Sequence, residues 1–360
     1  MGLPLPSSEH GAEGVRYQLT TVSIYGNRGP STRVRVQDWI DHLGLNANCQ
    51  NYASLPDAGL STIRKHLPSV LAAEMRTRRL TRVKHERLML SREASPFSRG
   101  EVESGILRGA AHGTYDFDDA LFEDVEGWRR ILAKDVKCRA GVEAADVVIA
   151  GNDYLANWAS AYNDDVRVIP SCVEPTSFRV KKTWDIQAPP RLVWLGSGPT
   201  ERYVEQIAPA LREVNRLTGA RLLLISARRD FEHPLLDGIV DRRQWSPETF
   251  ADDLATGDIA LAPLDSTPYS KGKCAYKLLQ YAASGIPIVG SPVGANDVAL
   301  ARFGGTAVED PGDWVEALLA MLAAGPEIRQ AIGERSVAAV SKYYSFAAWA
   351  SAWQDATGLT

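Results

Sequence analysis

The run from Lys271 to Asp297, KGKCAYKLLQYAASGIPIVGSPVGAND, leaves a chain few folds to choose from. An amphipathic helix starts at about Cys274 or Ala275, and Gly285 ends it. Ile286, Ile288 and Val289 then form a short buried strand, with Pro287 near its start. Gly290 to Gly294 lead away from the strand end. A helix feeding a buried strand that opens on a glycine loop is a unit of an open α/β sheet, and such sheets take ligands outside the carboxyl ends of their strands. At the other end of the run Gly272 lets the backbone turn sharply and come close to a ligand. Lys271 and Lys273 flank it, and the free N–H groups of the helix point where they point. Together these make an anion site of phosphate size. An ordinary αβ unit with solvated lysines is the competing reading of the same residues.

The rest of the chain supplies the units that such a sheet needs. At 360 residues there is material for two α/β domains of ordinary size. Tyr17 to Tyr25 reads as a strand that runs into Gly26, Asn27, Arg28 and Gly29. Ser31 is placed to cap a helix carrying Val34, Ile40 and Leu43, with Arg33 and Arg35 near its start. Glu86 to Ser91 is a further strand closed by Arg92 and Glu93. Asp146 to Ala150 and Arg167 to Ile169 are the last strands of the first half. Prolines and lysines mark a linker over about 173–190. The second half repeats the scheme with Arg191 to Leu195, Leu222 to Ser226 and Asp258 to Pro263. Ser197 and Thr200 sit at a helix start, a second phosphate-friendly position. The terminal stretch Phe346 to Ala356 is amphipathic, with Trp349 and Trp353 one turn apart. No GxGxxG follows any strand, which disfavours a nicotinamide-dependent dehydrogenase.

Composition removes other classes. A net charge of −4 argues against a general nucleic-acid binder. The four cysteines, Cys49, Cys138, Cys172 and Cys274, are far apart and form no CxxC, so neither a zinc site nor a disulfide framework is expected, and a reducing cytosol fits. Residues 1–16 are polar and rich in Pro and Gly, lack the apolar core of a signal peptide, and are expected to dangle. No apolar run approaches transmembrane length. Arg64 to Arg92 is strongly basic, with a rough helical stripe of Leu67, Val70, Leu71, Met75 and Leu80. It is either a patch for an anionic membrane or acceptor, or a solvated helix face.

The run Lys277-Leu278-Leu279-Gln280-Tyr281-Ala282-Ala283-Ser284-Gly285-Ile286-Pro287 resembles the donor-site segment of the retaining glycosyltransferases of family 4, K-x-x-K-L-L-E-Y-x-A-x-G-x-P-V-V. In the first half, Arg92 and Glu93 followed later by YDFDDA resemble one subgroup of the same family, and ADVVIAGNDYL resembles its domain-closing strand. The likeness spans about residues 17–356. It implies the GT-B fold: α/β, with two Rossmann-like domains facing across a cleft, at 17–175 for the acceptor and 176–340 for the donor. A C-terminal helix, 341–360, returns to the first domain. It implies transfer of a sugar, with retention, from a UDP-, GDP- or dTDP-sugar to a hydroxyl of a metabolite, glycan or lipid-linked acceptor, by front-face displacement.

The resemblance also assigns residues. Lys273 would stabilise the leaving diphosphate, with Asp116, Asp118 and Glu93 orienting or deprotonating the acceptor. Ser197, Gly198, Arg202, Trp245, Lys271, Gly272, Cys274, Lys277 and Gln280 would hold the donor. Gly26, Asn27, Arg28, Gly29, Arg33 and Arg92 would face the acceptor. No cofactor is implied. A metal reading of Asp116 to Asp119 is set aside because GT-B enzymes usually need no bound metal; a capping role for Asp118 or Asp119 stays open. The expected location is cytoplasmic, with peripheral contact at the inner membrane face through 64–92. The chain departs from the pattern twice. Gln280 stands where the family has a ribose-binding glutamate, and Gly272 stands where it has another. A catalytically silent sugar-nucleotide-binding subunit is therefore the alternative.

Overall fold

The computed structural model describes residues 17–26, 29–52, 66–124, 132–227, 234 and 236–360. Within them lie two six-stranded parallel sheets. The first has the order β2-β1-β3-β4-β5-β6, from β1 (Leu19–Ser23), β2 (Ala47–Asn51), β3 (His85–Ser91), β4 (Ala110–Phe117), β5 (Val147–Ala150) and β6 (Val166–Val168). The second has the order β12-β11-β10-β7-β8-β9, from β7 (Arg191–Gly196), β8 (Arg221–Ser226), β9 (Val240–Gln244), β10 (Ile259–Ala262), β11 (Ile288–Gly290) and β12 (Thr306–Ala307). Interior strands such as VVIA of β5 and IALA of β10 are buried along their whole length, since helices cover both faces of a parallel sheet. The edge strands β2 and β9, ANCQN and VDRRQ, are only partly covered, and neither was anticipated.

Chain order reverses beside β1 in the first sheet and beside β7 in the second. Ligand crevices form at such switch points. The carboxyl ends of β1, β3 and β4 face those of β7 and β10, and one cleft of about 700 Å3 lies between them.

Three local differences from the expected elements have physical causes. The helix after Gly272 starts at Tyr276, because Ala275 takes a left-handed φ of 53° that a helix cannot contain. The helix expected to start at Ser197 and Thr200 is two, Arg202–Gln206 and Ala208–Thr218. Pro209, in the first turn of the second, offers no N–H to continue the first. In the basic segment, the helix Leu67–Leu80 buries Val70, Ala73 and Thr77, while Leu67, Leu71 and Met75 point outward. Arg64 and Lys65 lie outside the described residues.

The last helix, Phe346–Ala356, starts on a Ser345 cap that accepts from the Ala348 N–H at 3.2 Å. It packs on the first domain, not the second. Trp353 is 1% exposed and stacks on Trp39 with centroids 5.1 Å apart, while Phe346 meets the same ring edge-on at 4.9 Å. The Thr114 hydroxyl donates to the Ala356 carbonyl at 2.8 Å. Trp353→Ala should therefore cost about 3–5 kcal/mol of unfolding free energy in a denaturant titration, as large-to-small changes of a buried Trp do. Trp349→Ala, at a half-buried position, should cost much less; equal losses would contradict this packing.

Candidate functional site

The second-domain side of the cleft is built on the ends of β7 and β10 and on the helix Tyr276–Ala283. Ser197, Trp245, Lys273, Cys274, Lys277 and Gln280 all line it. Lys277 reaches it because Gly196 has no side chain: a Cβ there would stand 2.8 Å from Lys277 Cε. Its ammonium lies 5.5 Å from the centre of the Trp194 ring and, among the described residues, forms no ion pair. Burial, and then repulsion from Lys273, lower its pKa to about 8, with Asp119 opposing in part. This is a desolvated cation held ready for an anion. Gln280 is buried at the foot of the same wall. Trp245 packs on Phe250 at 5.9 Å, and the Arg33 guanidinium from the opposite domain lies 5.7 Å from its ring.

Other residues expected at the donor stand further out. Gly198 opens the short turn Gly198–Thr200. Arg202 is exposed and lies on the Tyr203 ring at 4.8 Å, donating to its hydroxyl at 2.9 Å. Lys271 is exposed and does not line the cleft.

The loop 272–274 is gripped by the opposite domain. A Cβ on Gly272 would lie 2.7 Å from the Ala120 nitrogen, so only glycine permits this approach. Asn152 Nδ2 donates to the carbonyls of Gly272 at 3.0 Å and Lys273 at 3.1 Å, while its Oδ1 caps the helix Asp153–Ala159. The Cys274 thiol donates to the Asp118 carbonyl at 3.2 Å, and burial pushes its pKa well up. Lys273 Nζ donates to Asp119 Oδ1 at 2.8 Å and lies 4.6 Å from the Tyr269 ring.

On the first domain, Arg92 Nη1 reaches Ser31 Oγ at 2.7 Å, Asp118 Oδ1 at 3.0 Å and Asp119 Oδ2 at 2.7 Å. Burial disfavours the Asp119 anion, but Arg92 and Lys273 outweigh it and hold its pKa down at about 2. Both acids of the DFDD run that line the cleft are thus bound by side-chain cations. Among the described residues no group of three or more His, Cys, Asp or Glu is arranged to hold a metal ion.

Asp116 and Glu93, expected at the acceptor, have no face on the cleft. Asp116 is buried behind the strand ends, where Arg35 Nη2 holds it at 2.5 Å and Arg35 Nε at 3.1 Å. Glu93 is buried against Lys137 at 2.5 Å. Their oxygens serve ion pairs inside the domain and cannot meet a substrate hydroxyl. Arg33 and Arg92 do line the cleft. Gly26 and Gly29 belong to the loop between β1 and the helix that opens as Pro30–Thr32; Asn27 and Arg28 lie outside the described residues.

Sequence reasoning gave no site role to Asn152, Tyr276 or Asn296; it weighed Asp119 as a cap, as an acid or hydrogen-bond acceptor of the first domain, and, set aside, as a metal ligand. Tyr276 and Asn296 line the cleft. Each of these residues follows a strand end or a glycine, and that position was the available signal.

No family model and no curated protein matches the chain. Solved structures do. HepE from Anabaena, in complex with UDP-glucose, superimposes with a TM-score of 0.68 at 11% identity, over 95% of this chain and 100% of that one. WaaG, a glycosyltransferase involved in lipopolysaccharide biosynthesis, gives 0.66 at 15% identity, over 94% of this chain and 99% of that one. TarM gives 0.57 at 11% identity over 75% of this chain, which spans about half of TarM's length (54%). At such identities the likeness is one of fold, and the fold is the GT-B architecture of two Rossmann-like domains across a cleft.

The depressed Lys277 pKa has a thermodynamic signature. The unfolded chain, with an ordinary lysine near 10.5, binds more protons than the folded one between pH 8 and 10.5, so stability gains from rising pH in that window. Denaturant unfolding should show the wild type gaining on Lys277→Met between pH 8 and 10. A constant difference would mean that Lys277 titrates normally.

Proposed function

We propose that this chain is a retaining glycosyltransferase that moves a sugar from a nucleotide-sugar to an acceptor hydroxyl by front-face displacement. The observation that carries the reading is Lys277: a desolvated ammonium without an ion-pair partner among the described residues, at the switch point of a GT-B donor sheet, beside Lys273 and the start of the helix Tyr276–Ala283. Such a site suits the two charges of a diphosphate. HepE, which shares the fold, has been seen with UDP-glucose.

In this reading 176–340 holds the donor and 17–175 the acceptor. Lys277 and Lys273 neutralise the departing diphosphate, whose oxygen takes the acceptor proton, so the proton and the bond electrons leave together. Trp245 and Gln280 are placed for the base and the ribose. Asp118, with Arg92, faces the acceptor. No cofactor is required. The alternative of a silent nucleotide-sugar-binding subunit draws on Gly272, whose packing on Ala120 leaves no room for the family's carboxylate.

The experiment is to incubate the purified chain with UDP-, GDP- and dTDP-sugars, following binding by calorimetry and release of nucleotide. Turnover with one of them supports the enzyme, and binding without turnover supports the silent subunit. Lys273→Ala should cut turnover by about 10²–10³, as loss of one oxyanion donor does. Turnover near wild type would remove Lys273 from the reaction. The anomeric proton coupling of the first product reads retention directly.

In this reading the first domain also meets a membrane surface. Leu67, Leu71 and Met75 are 48%, 55% and 57% exposed at one-turn spacing on the helix Leu67–Leu80, and the exposed Arg79, Arg82 and Lys84 follow. An outward apolar stripe beside exposed cations fits the headgroup region of an anionic bilayer, consistent with a cytoplasmic protein at the inner membrane face. Among the described residues no helix is long and apolar enough to cross a membrane. Sedimentation with vesicles should show binding to phosphatidylglycerol-containing but not pure phosphatidylcholine vesicles, and its loss in Leu71→Glu/Met75→Glu. Equal sedimentation of the double variant would contradict this surface.

A further inference from the structure

The cleft pairs one of its lysines with an acid of the opposite wall. Lys273 and Lys277 are its two donor-domain lysines. Lys277 is unpaired among the described residues, but Lys273 is held by Asp119 Oδ1 at 2.8 Å. Asp119 follows β4 of one domain and Lys273 precedes the donor helix of the other, so this ion pair spans the cleft. The other oxygen of Asp119 stays with Arg92 at 2.7 Å, on Asp119's own domain. From Asp119's domain, Asn152 and the Asp118 carbonyl, which accepts from the Cys274 thiol, hold the lysine loop. The loop is therefore held, and the exchangeable contact is the lysine head on the end of a flexible stem.

An arriving diphosphate competes with Asp119 for the Lys273 ammonium, which Asp119 holds at 2.8 Å. When the lysine turns to the diphosphate, Asp119 Oδ1, on a carboxylate only 15% exposed, loses that donor, and an acceptor so shielded gains from a replacement. A hydroxyl of the second substrate can restore that hydrogen bond. We propose that Asp119 orders the reaction: the donor's diphosphate first displaces it from Lys273, and its freed oxygen then orients the acceptor hydroxyl, so the acceptor docks productively only on the donor complex. This rests on the glycosyl-transfer reading above. Asp119 does not take the proton, because Arg92 keeps it anionic throughout; the proton still passes to the diphosphate oxygen as the sugar bond breaks.

The test uses UDP, GDP and dTDP in turn as probes, by calorimetry on the full chain. Removing the competing carboxylate in Asp119→Asn should tighten nucleoside-diphosphate binding about tenfold, within the usual range of coupling between two ligands of one site. Asp118→Asn removes a charge nearby without freeing Lys273 and should change affinity by less than about twofold. The gain should vanish in the Lys273→Met background, and sugar transfer by Asp119→Asn should fall despite the tighter donor. If Asp119→Asn does not fold, Asp119→Ser carries the same expectations. Unchanged or weaker binding by the variant overturns the proposal, because a merely structural acid loosens the site when lost. A gain that persists without Lys273, or that Asp118→Asn matches, overturns it as well. If wild type and Asp119→Asn alike bind none of the three diphosphates, the donor-site reading itself falls and the ordering falls with it.

Discussion

The ion pair between Asp119 and Lys273 is the charged contact that ties the two walls of the cleft together. Two α/β sheets stacked end to end present loops to each other, and loops carry polar backbone that must be satisfied when it is buried. The first domain does this for the donor loop with one amide, Asn152, which binds two carbonyls, and with a glycine that admits Ala120 to van der Waals contact. The charged pair sits at the mouth of this joint. It brings a cation to the place where a diphosphate would lie, and it does so with an acid from the opposite wall.

Behind the joint is an inner set of ion pairs with a different task. Arg35 with Asp116, and Lys137 with Glu93, are almost wholly buried and lie within one domain. Breaking such a pair leaves a buried charge exposed to low dielectric, so both partners are fixed in place. They anchor the ends of β3 and β4, where Arg92 adopts a left-handed φ of 66°. That conformation is costly for a side chain as large as arginine. The Arg92 N–H bonds the Asp116 carbonyl at 2.8 Å, and the Tyr115 hydroxyl bonds the Arg92 carbonyl at 2.7 Å, which hold it there. The outcome is a guanidinium aimed at the cleft, with Asp118 and Asp119 on its end.

Much of this was legible in the sequence, and the exceptions share a cause. Strands β5, β8 and β10 read as apolar runs because helices cover both faces of each sheet. Strands β2 and β9 did not, because edge strands can be polar along their length. Lys273 and Ser197 could be picked out because each lies next to a strand end or glycine turn that is local in sequence, whereas Lys277 and Gln280, inside the helix Tyr276–Ala283, were named by the family resemblance. The neighbouring acids could not be sorted in the same way. Asp116 and Asp119 differ only in which cation folds onto them, and those cations come from 81 residues away for Asp116 and from 154 residues away for the Lys273 partner of Asp119. Long-range pairing of this kind is fixed by the packed sheet, with no local periodicity to announce it.

The central claim is that a nucleotide-sugar lies at the carboxyl ends of β7 and β10, against Lys277 and the loop before it. Amide hydrogen exchange in the presence of UDP-, GDP- and dTDP-sugars tests this most directly, since it locates the ligand without requiring turnover. With at least one of them, exchange should slow over 196–200 and 272–280, and stay unchanged along β9 and the outer residues 236–242. A second hollow, lined by Glu201, Leu236 and Arg242, opens on that outer face, away from the interdomain cleft. Protection confined to that hollow, or none with any of the three sugars, would contradict the account.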